Sequence, residues 1–472
     1  MPLGHRGDNF MATADHMDAS LISARLDRLP ATRTIWIMIL MLSLGQFFEL
    51  YEQLLTSYIA PGLVRSGILS ATTPGLFGTQ GIASFIAALF SGLTIGTMAC
   101  GFVADKYGRR TIFTFSLLWY AAASAMMAFQ TTAFGLNFWR FISGIGLGVE
   151  MMTIGAYLAE LSPKHIRGRA FAVALAIGFL ATPAAAFFSY LLVPNAPYGI
   201  DGWRWVVGIG VLSAVAVWWL RLRLPESPRW LAQKGRVAEA DAILTRIEAQ
   251  VAKDIGQALP PIPAPEPIIA RASFKDMWVA PYGKRTLMLT MFHVIQSIGY
   301  YGFANWVPTL LISQGIAVTS SLLYGTIIAL AAPLGPLIGI FVADKFERKH
   351  VIVVMAGVNI VCGLIFSQMT HAGGVIVMGV LLTIAGNMIA YTFLVYQQEL
   401  FPTGIRARAS GFVYSWSRAS TVFNSFVIAF FLNHYGTTGV FLFIAAAMVA
   451  VMLIIGIMGE RTRNISLEKL SG

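Results

Sequence analysis

Five charged residues stand inside long apolar stretches of this 472-residue sequence: Glu49, Glu52, Arg140, Glu150 and Arg418. A charge held in hydrocarbon costs about 3 kcal/mol or more, so such residues mark pathways and binding sites. Glu49 and Glu52 lie in QFFELYE, spaced i, i+3, and a helix puts them on one face. A carboxylate beside an arginine keeps its charge. One removed from it, or crowded by a second acid, takes up a proton. Two acids and an arginine that make and break a pair are therefore the parts of a proton switch. Arg418 lies in YSWSRASTVF. Its planar guanidinium can grip a carboxylate through two parallel hydrogen bonds.

The elements that position these residues follow from composition. The chain is 57% hydrophobic and 12% charged, whereas soluble chains are roughly 25% charged. Mean hydropathy is +0.70. A globule cannot hide that much apolar surface, and disorder needs the opposite balance. The expectation is an all-α membrane protein with twelve spans, near 34–60, 80–103, 111–130, 134–160, 169–194, 203–223, 286–312, 321–343, 350–370, 374–399, 409–432 and 436–458. Each is long enough to cross as a helix, and the alternating ten-residue segments of a β-barrel are absent. Residues 1–33 read as a polar tail without a cleavable signal, and 459–472 as a second tail. Of the 33 Lys and Arg, 29 fall in the tails and at the loops after spans 2, 4, 6, 8 and 10. This positive-inside bias predicts that both termini are cytoplasmic and explains the net charge of +11 without a nucleic-acid partner. The loop over 224–285 divides a six-span half (34–223) from a second (286–458). Ala238, Ile243, Leu244 and Ile247 predict an amphipathic surface helix there, and LPPIPAPEP a stiff end to it, within a solvated connector that holds no site. Cys100 and Cys362 lie in apolar stretches and read as buried thiols.

Depth follows from the helical rise of about 1.5 Å per residue. Glu49 lies roughly 22 Å and Glu52 about 27 Å from the cytoplasmic entry of span 1, while Arg140 lies about 9 Å below the outer entry of span 4. In a core about 30 Å thick these three share the outer layer. Arg418 lies roughly 14 Å deep in span 11, near the midplane, where transporter substrates bind. In span 10, Asn387, Tyr391 and Gln398 form a polar face, and Asn387 and Tyr391 are expected to face a cavity. Gly144, Gly146 and Gly148 in span 4 read as close-packing contacts.

An internal repeat runs at one offset. GFVADKYGRR (101–110) matches GIFVADKFERKH (339–350), pairing Asp105 with Asp344, Lys106 with Lys345 and Arg109 with Arg348, 239 residues apart. AELSPKHIRGR matches QELFPTGIRAR, pairing Glu160 with Glu399, Pro163 with Pro402, Arg167 with Arg406 and Arg169 with Arg408, again 239 apart. The chain is thus two homologous halves in the same orientation, a transporter-type plan. The five intramembrane charges have no counterpart: they map onto Met288, Met291, Gly379, Ile389 and Phe179. They are not needed to build a six-span half, which makes them candidates for function. Glu347 stands where the first copy has Gly108, so the second turn is expected to differ. Asp105 is placed to cap a helix N-terminus, and Arg109 and Arg110 to pair with carboxylates on neighbouring helix ends.

With these motifs the sequence resembles the major facilitator superfamily over nearly its whole length. GFVADKYGRR resembles the family signature between spans 2 and 3. ELSPKHIRGR, LPESPRWL and ELFPTGIRAR together resemble the branch holding sugar porters, organic-ion transporters, niacin-type transporters and synaptic vesicle protein relatives. The resemblance implies that Asp105, Arg109, Glu160, Arg167, Arg169, Glu226, Arg229, Asp344, Arg348, Glu399, Arg406 and Arg408 form a cytoplasmic charge cluster gripping the two halves. Closing it favours the outward-open state. FFELYE is similar to FFD-G-YD segments of aromatic-acid and niacin-type symporters, with Glu for both Asp; sugar porters keep the acid that corresponds to Glu52. Proton coupling is assigned to Glu49, Glu52 and Arg140. In span 7, HVIQSIGYYGFANWVPTLL has Gln296 but lacks the paired Gln of sugar porters, and is similar to niacin-type segments. Gln296, Tyr300, Tyr301, Asn305, Asn387, Tyr391 and Arg418 are the expected substrate contacts, and His293 reads as a packing residue.

The expectation is a secondary transporter working by alternating access, not an enzyme. Its load is a small organic anion, an aromatic or pyridine carboxylate, moved inward with protons. Protons are preferred to sodium because no unwound, carbonyl-rich segment stands out. A sugar or polyol proton symporter and a drug/proton antiporter are the alternatives; a nutrient receptor would carry a longer tail. No phosphate-binding G-x-x-x-x-G-K-[ST] loop is present. No cofactor, metal or nucleic acid is expected; the partners are the small-molecule substrate, protons and the lipid bilayer. The expected state is a monomer in a prokaryotic inner membrane.

Overall fold

The structure, a computed structural model, describes residues 19–70, 72–75, 80–264, 274–343, 345–401 and 403–462. It gives only the backbone at 100–105, 340, 341, 343, 403, 404 and 407. The expectations for Asp344 and Pro402, and for the side chains of Cys100 and Asp105, therefore lie outside what is described.

The chain is all-helical. After α1 (19–27) come α2 (Arg33–Arg65), α3 (Gly81–Tyr107), α4 (Arg109–Ala128), α5 (Ala133–Leu161), α6 (Arg167–Phe179), α7 (Ala181–Leu192) and α8 (Gly202–Arg221). Then follow α9 (Pro228–Gln233) and α10 (Val237–Ile255) in the connector. The second half holds α11 (Tyr282–Ala304), α12 (Val307–Ser313), α13 (Val318–Ala329), α14 (Leu334–Ala343), α15 (Arg348–Gln368), α16 (Ala372–Glu399) and α17 (Thr403–Leu453). Among the described residues, ten helical stretches are individually long and apolar enough to cross a membrane. The twelve spans are recovered because α17 turns at Gly436, at φ 64°, and so carries two. Span 7 is the other addition: α11 is less apolar, with Lys284, Arg285, His293 and Gln296.

Spans 5, 7 and 8 are each split in two, at α6/α7, α11/α12 and α13/α14. In each case the first segment ends four residues before a proline: Phe179 before Pro183, Ala304 before Pro308, Ala329 before Pro333. A proline ring removes one helical hydrogen bond and clashes with the carbonyl four residues back, which sets these breaks. They are short bends, near-helical in backbone at Leu180, Asn305 and Leu330, and not unwound, carbonyl-rich segments.

Gly92 and Gly96 of α3 meet Gly144 and Gly148 of α5. A Cβ at these four would lie 2.1, 2.0, 2.3 and 2.2 Å from backbone oxygens of the facing helix. Gly146 admits Trp119 in the same way. The most extensive packing between the two halves is α3 against α17; at the end distal to the chain termini α7 also lies against α13 and α2 against α12, more extensively than α6 against α14 at the other end. The Tyr58 ring covers Gly325, and Phe90 meets Tyr301 edge to face at 4.9 Å.

The N-terminal segment and the connector depart from the sequence reading. Ile22, Leu26 and Leu29 are buried against Leu244, Ile247 and Val251. The buried stripe of α10 is Ala240, Leu244, Ile247 and Val251, with Ile243 half-buried and Ala238 exposed. Arg25 and Arg28 reach Glu248 at 2.7 and 2.8 Å, and Arg25 also meets Asp241. The connector is thus a docked layer and not a solvated strap, because its apolar stripe finds a partner in the tail.

Candidate functional site

Glu52 and Arg140 form a closed, water-excluded pair. Arg140 Nη1 donates to Glu52 Oε2 at 2.9 Å, and its Nη2 donates to the Glu52 carbonyl and Thr56 Oγ1. Ser124 Oγ donates to the same carboxylate at 3.1 Å. The guanidinium lies over the Phe85 ring at 5.3 Å. Glu49, one turn away on α2, is equally buried but forms no ion pair among the described residues; it accepts from Gln46 Nε2 at 2.6 Å, and the charge of Arg418 acts on it from the other half. Glu150 pairs with Arg221 at 2.6 Å, and Arg221 also donates to the Phe113 carbonyl at 2.8 Å and stacks on that ring at 3.7 Å.

Arg418, on the first arm of α17, is buried and meets no carboxylate among the described residues. Its Nη1 donates to Tyr301 Oη, and its Nη2 reaches Tyr414 Oη at 2.9 Å and the Met151 sulfur at 3.1 Å. Its Nε has no partner. These contacts are neutral oxygens and a thioether, and the acid whose charge acts on Arg418 is Glu49 across the seam, without forming an ion pair with it.

The remaining expected contacts divide into two groups. Tyr300 and Asn387 line a cavity of about 40 Å³ between the halves, with Leu54, Tyr58, Thr182 and Thr383. Asn387 also donates to the Ala332 carbonyl at 3.0 Å, supporting the α13/α14 break. Tyr301 holds Arg418, and Gln296 is buried without a hydrogen bond to any described residue. Asn305 sits in the α11/α12 break with both amide atoms unpaired. Tyr391 packs on α14, where a Cβ at Gly339 would lie 2.5 Å from its ring. His293 shares 3.1 Å with Gln397 Oε1 and stacks among Phe292, Phe393 and Tyr414.

At the terminal face the repeat is visible as geometry. Arg109 meets Glu160 at 3.1 Å, and Arg348 meets Glu399 at 3.2 Å. The carboxylate that caps α4 is Glu226, accepting from the Arg109 and Arg110 amides at 2.9 and 3.0 Å. Gly108 makes room for it at φ 97°, where a Cβ would lie 2.4 Å from Glu226 Oε2. Glu347 takes an ordinary extended conformation instead, at φ −64° and ψ 129°, and accepts from the Thr462 amide at 2.7 Å. Asp27 gathers Arg229 at 2.7 Å and Arg167 at 3.9 Å. Arg169 and Arg408 are exposed, and Arg406 donates to the Phe401 carbonyl at 3.0 Å. None of these pairs joins the two six-span halves, so none of them is a grip between the halves in this conformation.

Sequence reasoning missed Arg221, Asp27 and Tyr414. Arg221 sits at the edge of an apolar run and was counted with the loop charges; the structure buries it completely inside α8. Tyr414 carried a signal, standing four residues before Arg418 on one helix face. Nothing in the spacing pointed to Asp27. Among the described residues no group of three or more His, Cys, Asp or Glu gathers.

A family model described as "Sugar (and other) transporter" matches residues 38–471. The chain is similar to the putative metabolite transport protein YyaJ of Bacillus subtilis, at 31% identity over 93% of this chain and 95% of the relative. It is similar to the niacin transporter NiaP of Acinetobacter baylyi, at 28% identity over 95% of this chain and 99% of the relative. Among solved structures it is similar to the xylose transporter XylE from E. coli in a partially occluded inward open conformation. The TM-score there is 0.70 at 19% identity, covering 92% of this chain and 99% of that chain.

Proposed function

Because the chain belongs to the sugar (and other) transporter family of the major facilitator superfamily, we propose that it couples uptake of a small organic anion, of the aromatic or pyridine carboxylate kind, to protons by alternating access. The observation that carries this reading is Arg418: a buried guanidinium beside the seam between the halves, held by Tyr301, Tyr414 and Met151, with no carboxylate in contact among the described residues. A substrate carboxylate supplies that contact. Glu49, buried in the other half, is near enough for its charge to act on Arg418 but forms no ion pair with it. A bound carboxylate and a bound proton together neutralise both, which is what symport of an acid requires. Glu52 and Arg140 are the pair whose opening admits the proton. The similarity to a niacin transporter supports a pyridine carboxylate.

The Lys and Arg distribution supports an inner-membrane orientation with both termini cytoplasmic. In that orientation the distal seam is the outer gate, closed, and the ion pairs confined within each half belong to an inward-facing state. A sugar or polyol proton symporter is the second reading. Gln296 favours it, buried on α11 with its amide free for a hydroxyl.

Proteoliposomes with an imposed inward proton gradient test this. Labelled nicotinate or benzoate should accumulate, and Arg418→Ala and Glu52→Gln should abolish the accumulation. Accumulation of a labelled hexose that survives Arg418→Ala would overturn the carboxylate reading in favour of the sugar one.

A further inference from the structure

The first half holds two fully buried ion pairs, and α4 touches both. Ser124 Oγ donates to Glu52 at 3.1 Å and shares 3.2 Å with Ser143 Oγ. Ser116 Oγ reaches Glu150 at 3.4 Å. Between them stands Tyr120, fully buried, its hydroxyl close to Glu150 but without a hydrogen bond of good geometry. Residues 116, 120 and 124 are spaced i, i+4, i+8 and form one stripe. The second pair is also not a requirement of the six-helix plan, since the repeat has Ile389 and Glu460 where Glu150 and Arg221 stand.

Resting on the proton-coupled reading above, we infer that Ser124, Tyr120 and Ser116 of α4 relay protons between the Glu52–Arg140 pair and the Glu150–Arg221 pair. The two pairs are reached from points about 12 Å apart along α4, with a backbone rise of about 6 Å between successive members of the stripe; a water admitted during the transport cycle would bridge any gap wider than a hydrogen bond. Chains of buried acids and hydroxyls are how membrane transporters move protons through hydrocarbon. Glu52 gives up its proton as it closes on Arg140. Ser124 accepts that proton and passes its own to Tyr120; Tyr120 passes its own through Ser116 to Glu150. Each hydroxyl is restored, and the net change is one proton moved from Glu52 to Glu150. Glu150 then loosens from Arg221 and releases the proton toward the terminal face.

The charged groups facing this stripe are Glu49 and Glu52 from α2, Arg140 and Glu150 from α5, and Arg221 from α8. From the other half Arg418 reaches Met151, the residue after Glu150. Arg221 rises beside Gly45, where a Cβ would lie 2.8 Å from its Nη2, one turn below Glu49. Acids and arginines therefore descend α2 in step with the hydroxyls of α4.

The test is nicotinate transport by the reconstituted full chain in two modes: accumulation driven by a proton gradient, with pyranine reporting internal pH, and counterflow at equal pH. Tyr120→Phe should slow gradient-driven accumulation and pyranine acidification on the order of tenfold or more. Counterflow, which needs no net proton movement, should stay within about twofold, with KM unchanged. Ser116→Ala should repeat the split, and serves if Tyr120→Phe fails to fold. Wild-type accumulation driven by protons, together with unimpaired accumulation in a folded Tyr120→Phe or Ser116→Ala, overturns the relay and leaves the transport reading standing. Counterflow of nicotinate by wild type without any response to the proton gradient overturns proton coupling itself, and the relay with it.

Discussion

Glu49 and Glu52 lie one turn apart on α2 and are equally buried, yet only Glu52 meets a guanidinium, that of Arg140 at 2.9 Å. The two acids therefore answer differently to the same substitution. Glu52→Gln leaves Arg140 buried and uncompensated, and should cost about 3–5 kcal/mol. Glu49→Gln keeps a hydrogen bond with Gln46 and should change stability by about 1 kcal/mol or less. Thermal melting in detergent separates them. Adding Arg140→Met to Glu52→Gln should recover most of the lost stability.

Arg418→Lys keeps the positive charge but loses the planar fork that binds a carboxylate through two bonds. The expected outcome is about a tenfold or greater loss of carboxylate affinity with the fold intact. Equilibrium binding of labelled nicotinate to the purified protein, set against its thermal melt, reads this directly. Unchanged binding would remove Arg418 from the site.

Gly108 and Glu347 occupy the same place in the two halves with different backbones. Gly108→Ala forces a side chain into a left-handed position and against Glu226, and should destabilise by about 1–3 kcal/mol. Glu347→Gly should cost less there, since its backbone is ordinary and the loss is confined to its bond with Thr462. Melting temperatures of the two variants give the comparison.

Glu248 sets a pH dependence for the docked tail. Burial pushes its carboxyl upward, but hydrogen bonds and charge from Arg25 and Arg28 outweigh this and hold it below its ordinary value. A depressed value means that the docking energy is fully present above the ordinary carboxylate range and is lost as pH falls through the lowered value. Hydrogen exchange over residues 19–27 should be slow near neutral pH and accelerate in acid. Glu248→Gln should show the fast exchange at neutral pH as well.

Much of this was legible before any coordinates. The constant offset of 239 residues placed Arg109 and Arg348 in equivalent positions, and the two make equivalent pairs with Glu160 and Glu399. Charges inside apolar runs stood out because hydrocarbon penalises them. Arg221 did not, because hydropathy cannot separate an arginine at the buried end of a helix from one in the next loop. The Asp27 contacts were invisible for another reason: they join residues 140 and 202 positions apart, and no local pattern encodes such a pair. Glu226, from outside the repeated loop, also caps α4. A carboxylate arriving from the connector serves the same orphan amides as one nearby.

The three proline-set breaks change what a gate has to move. Opposite the unbroken α2, the distal seam is made by short stubs, α7 of 12 residues, α12 of 7 and α13 of 12. Each is joined to the rest of its span by a joint with a hydrogen bond already missing. Such joints behave as knuckles: a stub can swing while the segment below it keeps its packing against lipid and its own half. Opening the distal side then demands repacking of three fingertips instead of the tilting of three whole membrane-crossing rods.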